Sequence, residues 1–221
     1  MTLSLGLLRR RECVVPTLRG WVVMFATAIV LTTVFVMGIY PFLAANDPQP
    51  GGVLVVEGWG SEEMMNQVIA EFSRNRYQFI CVTGVPLERS SPLATYKTIA
   101  ELGAATLIKL GCDPATVHAV PAPLAKQDRT HASAVALKKW MQEQGIFGTP
   151  LNLMSAGPHS RRSRLLFQKV FGDGVKVGII STQSPDFDSA HWWASSGGFR
   201  IVTDEAIAYL YARLLFREPA N

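Results

Sequence analysis

The sequence predicts an α/β fold: a mostly parallel, five-stranded sheet with helices on both faces, preceded by one transmembrane helix. Three observations predict it. Short runs rich in valine, isoleucine and leucine alternate with longer segments whose apolar residues recur at helical spacing. Those short runs are largely apolar, and "VLVV" is continuously so, as strands buried on both faces are. Near the N-terminus, "GWVVMFATAIVLTTVFVMGIYPFLAA" (Gly20 to Ala45) holds no charged residue.

A helix needs about 20 apolar residues to cross the hydrocarbon core. This stretch suffices, even with the break that Pro41 should impose near its end. A secretory leader has an apolar region of only about 7–15 residues. This run is longer and "FLAAND" is a poor cleavage site, so the reading is a retained anchor. Arginines flank one side only: Arg9, Arg10, Arg11 and Arg19 precede the run, and the next basic residue is Arg74. The positive-inside rule then leaves a basic tail, 1–19, in the cytoplasm. Residues 20–45 form the anchor in the cytoplasmic (inner) membrane, 46–52 ("NDPQPGG") a Pro/Gly linker, and 53–221 an exported domain. In a bacterium with two membranes that domain is periplasmic.

The chain has 221 residues and a formal charge of +4, of which the first twenty residues supply +3. The exported part is nearly neutral and lacks a basic stripe with interleaved aromatics, which argues against nucleic acid as a partner. Cys13 falls on the cytoplasmic side. Cys81 and Cys112 are exported and could pair, but Cys81 lies in an apolar strand, which favours a buried free thiol. No cysteine spacing suits a metal.

The elements of the domain follow in order. "VLVVEG" is a buried strand. "SEEMMNQVIAEFSRN" is a helix capped by Ser61, with Glu62 and Glu63 in its first turn and Met65, Ile69 and Phe72 at helical spacing. "YQFICVTG" is the second strand, and a helix runs from about Ala94 to Leu110 after the loop "VPLERSSPL". "TVHAVPAP" is a short third strand, followed by a helix from Arg129 closed by Gly145. "LNLMSAG" is the fourth strand, and Pro158 suits the first position of the next helix. "VKVGIIS" is the fifth strand, and "TDEAIAYLYARLLF" the last helix, with Thr203 as its cap. This alternation gives one Rossmann-like three-layer sandwich.

Open α/β sheets bind ligands outside the carboxyl ends of their strands, near a switch in strand order. That rule selects Glu57, Gly58 and Trp59 after the first strand and Thr83 and Gly84 after the second. It selects Asp128, Arg129, Thr130 and Ser133 after the third, and Ser155, Gly157 and His159 after the fourth. Glu57 either acts as acid or base, or caps a helix or pairs with an arginine. Asp128 can cap the helix that starts beside it, while Thr130 and Ser133 share one helical face. Arg129 opposes the dipole at a helix start, so an anion is expected nearby, either Asp128 or a ligand. His131 reads as a surface residue.

In "SAGPHSRRSRLLF" (155–167), His159, Arg161, Arg162 and Arg164 crowd a helix N-terminus. Free N–H groups there favour anions, and guanidinium forks suit phosphate or carboxylate. Arg164 flanks the apolar face whereas Arg161 and Arg162 point off it, so the three cannot all face one ligand. The expected site is His159 with one or two of them. Trp192 and Trp193 either pack over a sheet edge or cover the cleft, stack on a ligand or touch the membrane. Glu205 serves the start of the last helix. There is no G-x-G-x-x-G, G-x-S-x-G or H-E-x-x-H motif, so no cofactor or metal is indicated.

The segments "VVEGW", "TGVPLE", "DRTHASA" and "HSRRSRLLF" resemble those of the YdcF/SanA/ElyC family of bacterial envelope proteins, in a branch whose first strand ends in Glu-Gly-Trp. The resemblance covers roughly residues 52 to 216. The family's His-x-x-Arg falls on His159 and Arg162, and its acidic residue and Thr-containing helix start fall on Asp128 and Thr130. The resemblance implies a Rossmann-like fold and a role in envelope integrity, cell-wall or surface-polysaccharide metabolism. One cytoplasmic relative is associated with S-adenosylmethionine, a cofactor not expected outside the cytoplasm.

The expected function is binding or acting on a phosphate-bearing envelope intermediate, such as a polyprenyl-linked sugar. His159 would be a general acid or base, Arg129, Arg161 or Arg162 would stabilise phosphate charge, and Glu57 or Asp128 would orient or activate. Two alternatives stand beside it. One is a non-catalytic membrane-tethered partner in an envelope-protein assembly, working through Trp192, Trp193 and the last helix. The other is a nucleotide- or S-adenosylmethionine-binding module.

Overall fold

The computed structural model describes residues 14–87, 95–183 and 186–217. Arg9, Arg10, Arg11 and Cys13 of the tail, and Ala94 at the expected helix start, lie outside the described residues. The chain forms two compact units, which meet in sequence between Gly38 and Ile39. Helix α1, Leu18–Leu43, is long and apolar enough to cross a membrane. Pro41 does not break it. The hydrogen bond that proline forfeits lies in the last turn, where Leu43 is fully buried and offsets the loss.

The second unit holds five strands, all parallel, in the order β3-β2-β1-β4-β5. They are β1 Val53–Glu57, β2 Ile80–Gly84, β3 Val117–Pro121, β4 Leu151–Ala156 and β5 Val177–Thr182. Between them run α2 Glu62–Arg74, α3 Ile99–Lys109, α4 Arg129–Glu143 and α5 Ser160–Phe171, and α6 Ser196–Leu214 follows β5. Three layers result because strand side chains alternate between faces. Val53 and Val55 of β1 join Leu137 and Met141 of α4 and Phe167 of α5 in one core. Leu54 and Val56 join Met65 and Val68 of α2 and Leu107 of α3 in the other. Helix α6 packs outside α5 through Leu166, Ala212 and Phe216.

Ser61 caps α2, accepting from the Met64 N–H at 3.3 Å, with both glutamates in the first turn as the sequence predicts. Helix α3 starts later than the sequence predicts. Thr98 and Glu101 form a reciprocal capping box that fixes its first turn. Helix α6 starts earlier, and its cap is Ser195, not Thr203, accepting from the Gly198 N–H at 3.0 Å. Gly198 fits there because a side chain would press on the Trp192 carbonyl, 2.5 Å from where its Cβ would stand. Trp192 is buried and stacks on Phe199, whereas Trp193 stays partly exposed. Cys81 and Cys112 are both free thiols, and burial pushes the Cys81 pKa up, leaving a structural rather than reactive group.

Residues 44–52 are fastened to the sheet. Asp47 bridges Ile179 of β5 in antiparallel fashion, and its carboxylate meets Arg164 at 2.7 Å. The fully buried Asn152 amide donates to the Gln49 carbonyl and accepts from the Gln49 N–H, both at 2.7 Å. The last turn of α1 docks on the same unit. Tyr40 meets Phe187 edge-on, and Phe42 meets Tyr209 of α6.

Candidate functional site

The site arises where three strands change character on one face. Along β1, Val53 and Val55 give way to Glu57, along β2 Cys81 to Thr83, and along β4 Leu151 and Leu153 to Ser155. The period of two puts all of these on the α4/α5 side. A polar layer therefore caps the apolar core at the carboxyl ends of the strands. The switch in strand order falls there too, because β2 and β4 flank β1 on opposite sides. A cavity of about 570 Å³ opens above this layer.

Glu57 is 3 % exposed, yet every neighbour suits a carboxylate. Ser155 donates to it from β4, and Ser163 of α5 lies 3.1 and 3.2 Å from its two oxygens. His159 Nε2 stands 3.4 Å from Oε1. On its other side, His159 Nδ1 lies 2.7 Å from Glu205 of α6. Arg162 holds the same Glu205 with a fork, Nε at 2.8 Å and a terminal nitrogen at 3.0 Å. Charges thus alternate along Glu57, His159, Glu205 and Arg162. That terminal nitrogen also lies 2.8 Å from His159 Nδ1. With Nδ1 protonated the contact is repulsive, and the shared carboxylate holds it in place.

Burial works against each charge, and the partners outweigh it. The His159 pKa, which burial alone would lower, is lifted to about 9 by the Glu57 charge and the Glu205 hydrogen bond. Burial would raise Glu57, but the His159 charge and the serine hydroxyls hold it below the usual carboxylate value. Burial would likewise raise Glu205, but hydrogen bonds from His159 and Arg162 bring it down to about 2. At neutral pH His159 is therefore an imidazolium, an acid rather than a base. Its Nε2, closed off from solvent, makes no aligned hydrogen bond. Trp59 stands edge-on to the ring at 5.2 Å and half-exposed, covering it from outside.

The start of α4 also lines the cavity, with Arg129, Thr130 and Ser133, and Lys126 stands on the loop before it. Asp128 occupies the N-cap position without a side-chain cap bond, correcting the expectation that it caps the helix. Among the described residues it is the one non-glycine with positive φ, at 52°. Aspartate tolerates this left-handed conformation better than most residues.

Of the residues the sequence predicts, the cavity wall includes Glu57, Trp59, Thr83, Gly84, Asp128, Arg129, Thr130, Ser133, His159 and Arg162. Four others lie elsewhere. Gly58 sits beneath α3, where a Cβ would stand 2.7 Å from the Ile99 carbonyl. Ser155 is buried behind Glu57 and acts on it rather than on the cavity. Gly157, in the 3-10 turn Gly157–His159, uses its carbonyl to accept from Ser160 and Ser181. Arg161 turns away altogether. Its guanidinium lies 4.1 Å over the Phe42 ring and donates to the Phe42 carbonyl.

Glu205, Ser163 and Lys126 are members that sequence reasoning missed. Glu205 does not serve a helix start, because it lies in the middle of α6. Its signal was readable: Val202, Glu205, Tyr209 and Ala212 share one helical face, and a carboxylate on an apolar face needs a partner. Set beside known proteins, the chain matches no family model, and no curated protein is significantly similar to it.

Proposed function

We propose that the chain is a membrane-anchored envelope protein whose cavity binds, and acts on, a phosphate-bearing intermediate such as a polyprenyl-linked sugar. One observation supports this reading: Arg129 and Thr130 in the first turn of α4 line the same cavity as His159 and Arg162, at the carboxyl ends of the strands. Helix N-terminal N–H groups, a guanidinium and a buried imidazolium are a donor set for phosphate oxygens. The imidazolium of His159, held by Glu205 at Nδ1 and standing beside Glu57 at Nε2, contributes its positive charge to such a site. Glu57 and Glu205 position that ring and keep it charged, and Arg162 balances Glu205.

The anchor reading supports the envelope setting. A span preceded by arginines and followed by none until Arg74 supports a domain outside the cytoplasm. The resemblance of His159-x-x-Arg162 and of the Asp128-Arg129-Thr130 segment to the YdcF/SanA/ElyC family points to the same process.

Titrating the full chain in detergent with inorganic pyrophosphate tests the binding reading. Wild type should bind, and His159→Ala and Arg162→Ala should lose at least about tenfold in affinity while melting as folded proteins. In cells both variants should fail to restore the envelope phenotype of a deletion strain. Unchanged binding and full rescue by both would remove the proposal. Rescue lost only on changing Trp193 would favour a non-catalytic partner role instead.

A further inference from the structure

The outer face of α6 departs from what a domain surface should be. A helix on a globular domain turns polar residues outward, and α6 does not. Away from its buried side (Gly198, Val202 and Ala212), Phe199, Ile207, Leu210 and Leu214 are 52, 63, 55 and 73 % exposed. Their spacing, with Thr203 filling the gap, makes one continuous stripe along the helix. Exposed Arg200 and Arg213 lie on its two flanks.

The anchor indicates what covers the stripe. Tyr209 of α6 meets Phe42 of the last turn of α1 edge-on, with ring centroids 5.5 Å apart. Arg161 clamps the same Phe42 ring. Helix α6 therefore packs on residues 39–43, the last turn of α1, which belong to its own unit. A helix of 26 residues is roughly 39 Å long, against a hydrocarbon core of about 30 Å, so the last turns of α1 reach the headgroup level. An apolar stripe bordered by arginines and held at that level suits the boundary between acyl chains and headgroups, the other side of α6 being packed on the domain.

We propose that α6 lies in the bilayer surface, with Phe199, Ile207, Leu210 and Leu214 at the acyl-chain boundary and the flanking arginines among anionic headgroups. The opposite face of this helix carries Glu205 and so borders the cavity. The inference rests on α1 spanning the bilayer and is independent of what the cavity binds.

The test uses the full chain in nanodiscs of phosphatidylethanolamine and phosphatidylglycerol, with Cys13 and Cys112 changed to serine. Single substitutions Leu210→Cys, Leu214→Cys and Lys139→Cys carry an environment-sensitive fluorophore, as does Val30→Cys within the span. Positions 210 and 214 should emit further to the blue than 139. Nitroxide lipids should quench them at least about twofold more strongly. Equal emission and quenching at 210, 214 and 139 would overturn the proposal. So would labels at 210 and 214 shielded from aqueous iodide yet untouched by nitroxide lipids, since a protein surface would then cover the stripe. A label at Val30 that nitroxide lipids do not quench would end both the span reading and this one.

Discussion

The imidazole of His159 lies between two carboxylates, Glu57 at 3.4 Å and Glu205 at 2.7 Å, and its pKa rises from 6.5 to about 9. A group whose pKa is raised by folding stabilises the fold fully below its unfolded value and loses that contribution as pH climbs through the folded one. Glu205, lowered from 4.5 to about 2, does the reverse: its contribution is whole above 4.5 and lost as pH falls through 2. These two groups together predict greatest stability between about pH 4.5 and 6.5, with a decline toward pH 9. Thermal melts of the purified chain should show that alkaline decline in wild type and not in His159→Gln. A wild-type melting temperature that stays level from pH 6.5 to 9 would contradict the charge assignment. Glu205→Ala should cost about 3 kcal/mol, because it strips Arg162 and His159 of their common partner. The imidazole proton resonances of that variant should also titrate at lower pH. Most of the cavity wall was legible in the sequence because one rule, polar residues at the carboxyl ends of strands, points to Glu57, Asp128 and His159. That rule passes over Glu205, which arrives from mid-helix, 46 residues after His159 in the chain, and whose only signal is its place on an apolar helical face.

Among the elements, the strands were the most legible, since a buried parallel strand announces itself by a short, mostly apolar run, as Val53–Val56 does. Helix starts were less so. Thr98 and Ser195 cap α3 and α6, but several serines and threonines nearby offered competing starts. Close approach between elements was invisible without coordinates. Gly103 of α3 is such a case: a Cβ there would stand 2.9 Å from the Val82 side chain and 3.0 Å from the Gly58 Cα. Gly103→Ala should therefore cost about 1–3 kcal/mol and move the start of α3, which forms part of the cavity wall. Denaturant midpoints check the cost. At the mouth of α4, Asp128→Val should cost about 1–2 kcal/mol, since a β-branched residue resists positive φ, whereas Asp128→Gly should leave stability nearly unchanged. Equal stability of these two variants would show that the turn relaxes to another conformation.

For the molecule as a whole, the sequence predicts five parallel strands but not their order, because nothing local says that β4 returns to pair with β1. Nor did it show that residues 46–52, read as a linker, bind along the sheet together with the two residues before them. Their removal should be costly. A chain starting at residue 53 loses the burial of Leu43, about 1.5–3 kcal/mol. It also leaves the Asn152 amide without the Gln49 backbone, a further 1–3 kcal/mol or so. Urea unfolding of chains beginning at residues 39 and 53 should separate them by that amount, and coincident curves would mean that the fastening contributes nothing. This fastening also sets how the protein meets its targets. A slack stretch of seven residues could pay out up to about 25 Å of leash, enough for a domain to search a patch of surface by its own motion. Pinned by Asp47 and Gln49, residues 46–52 pay out no such leash. On the proposed reading, with α1 as anchor and a lipid-linked ligand, encounters come from lateral diffusion in two dimensions, and their frequency should follow the surface density of that ligand in the bilayer, not its concentration in the surrounding fluid.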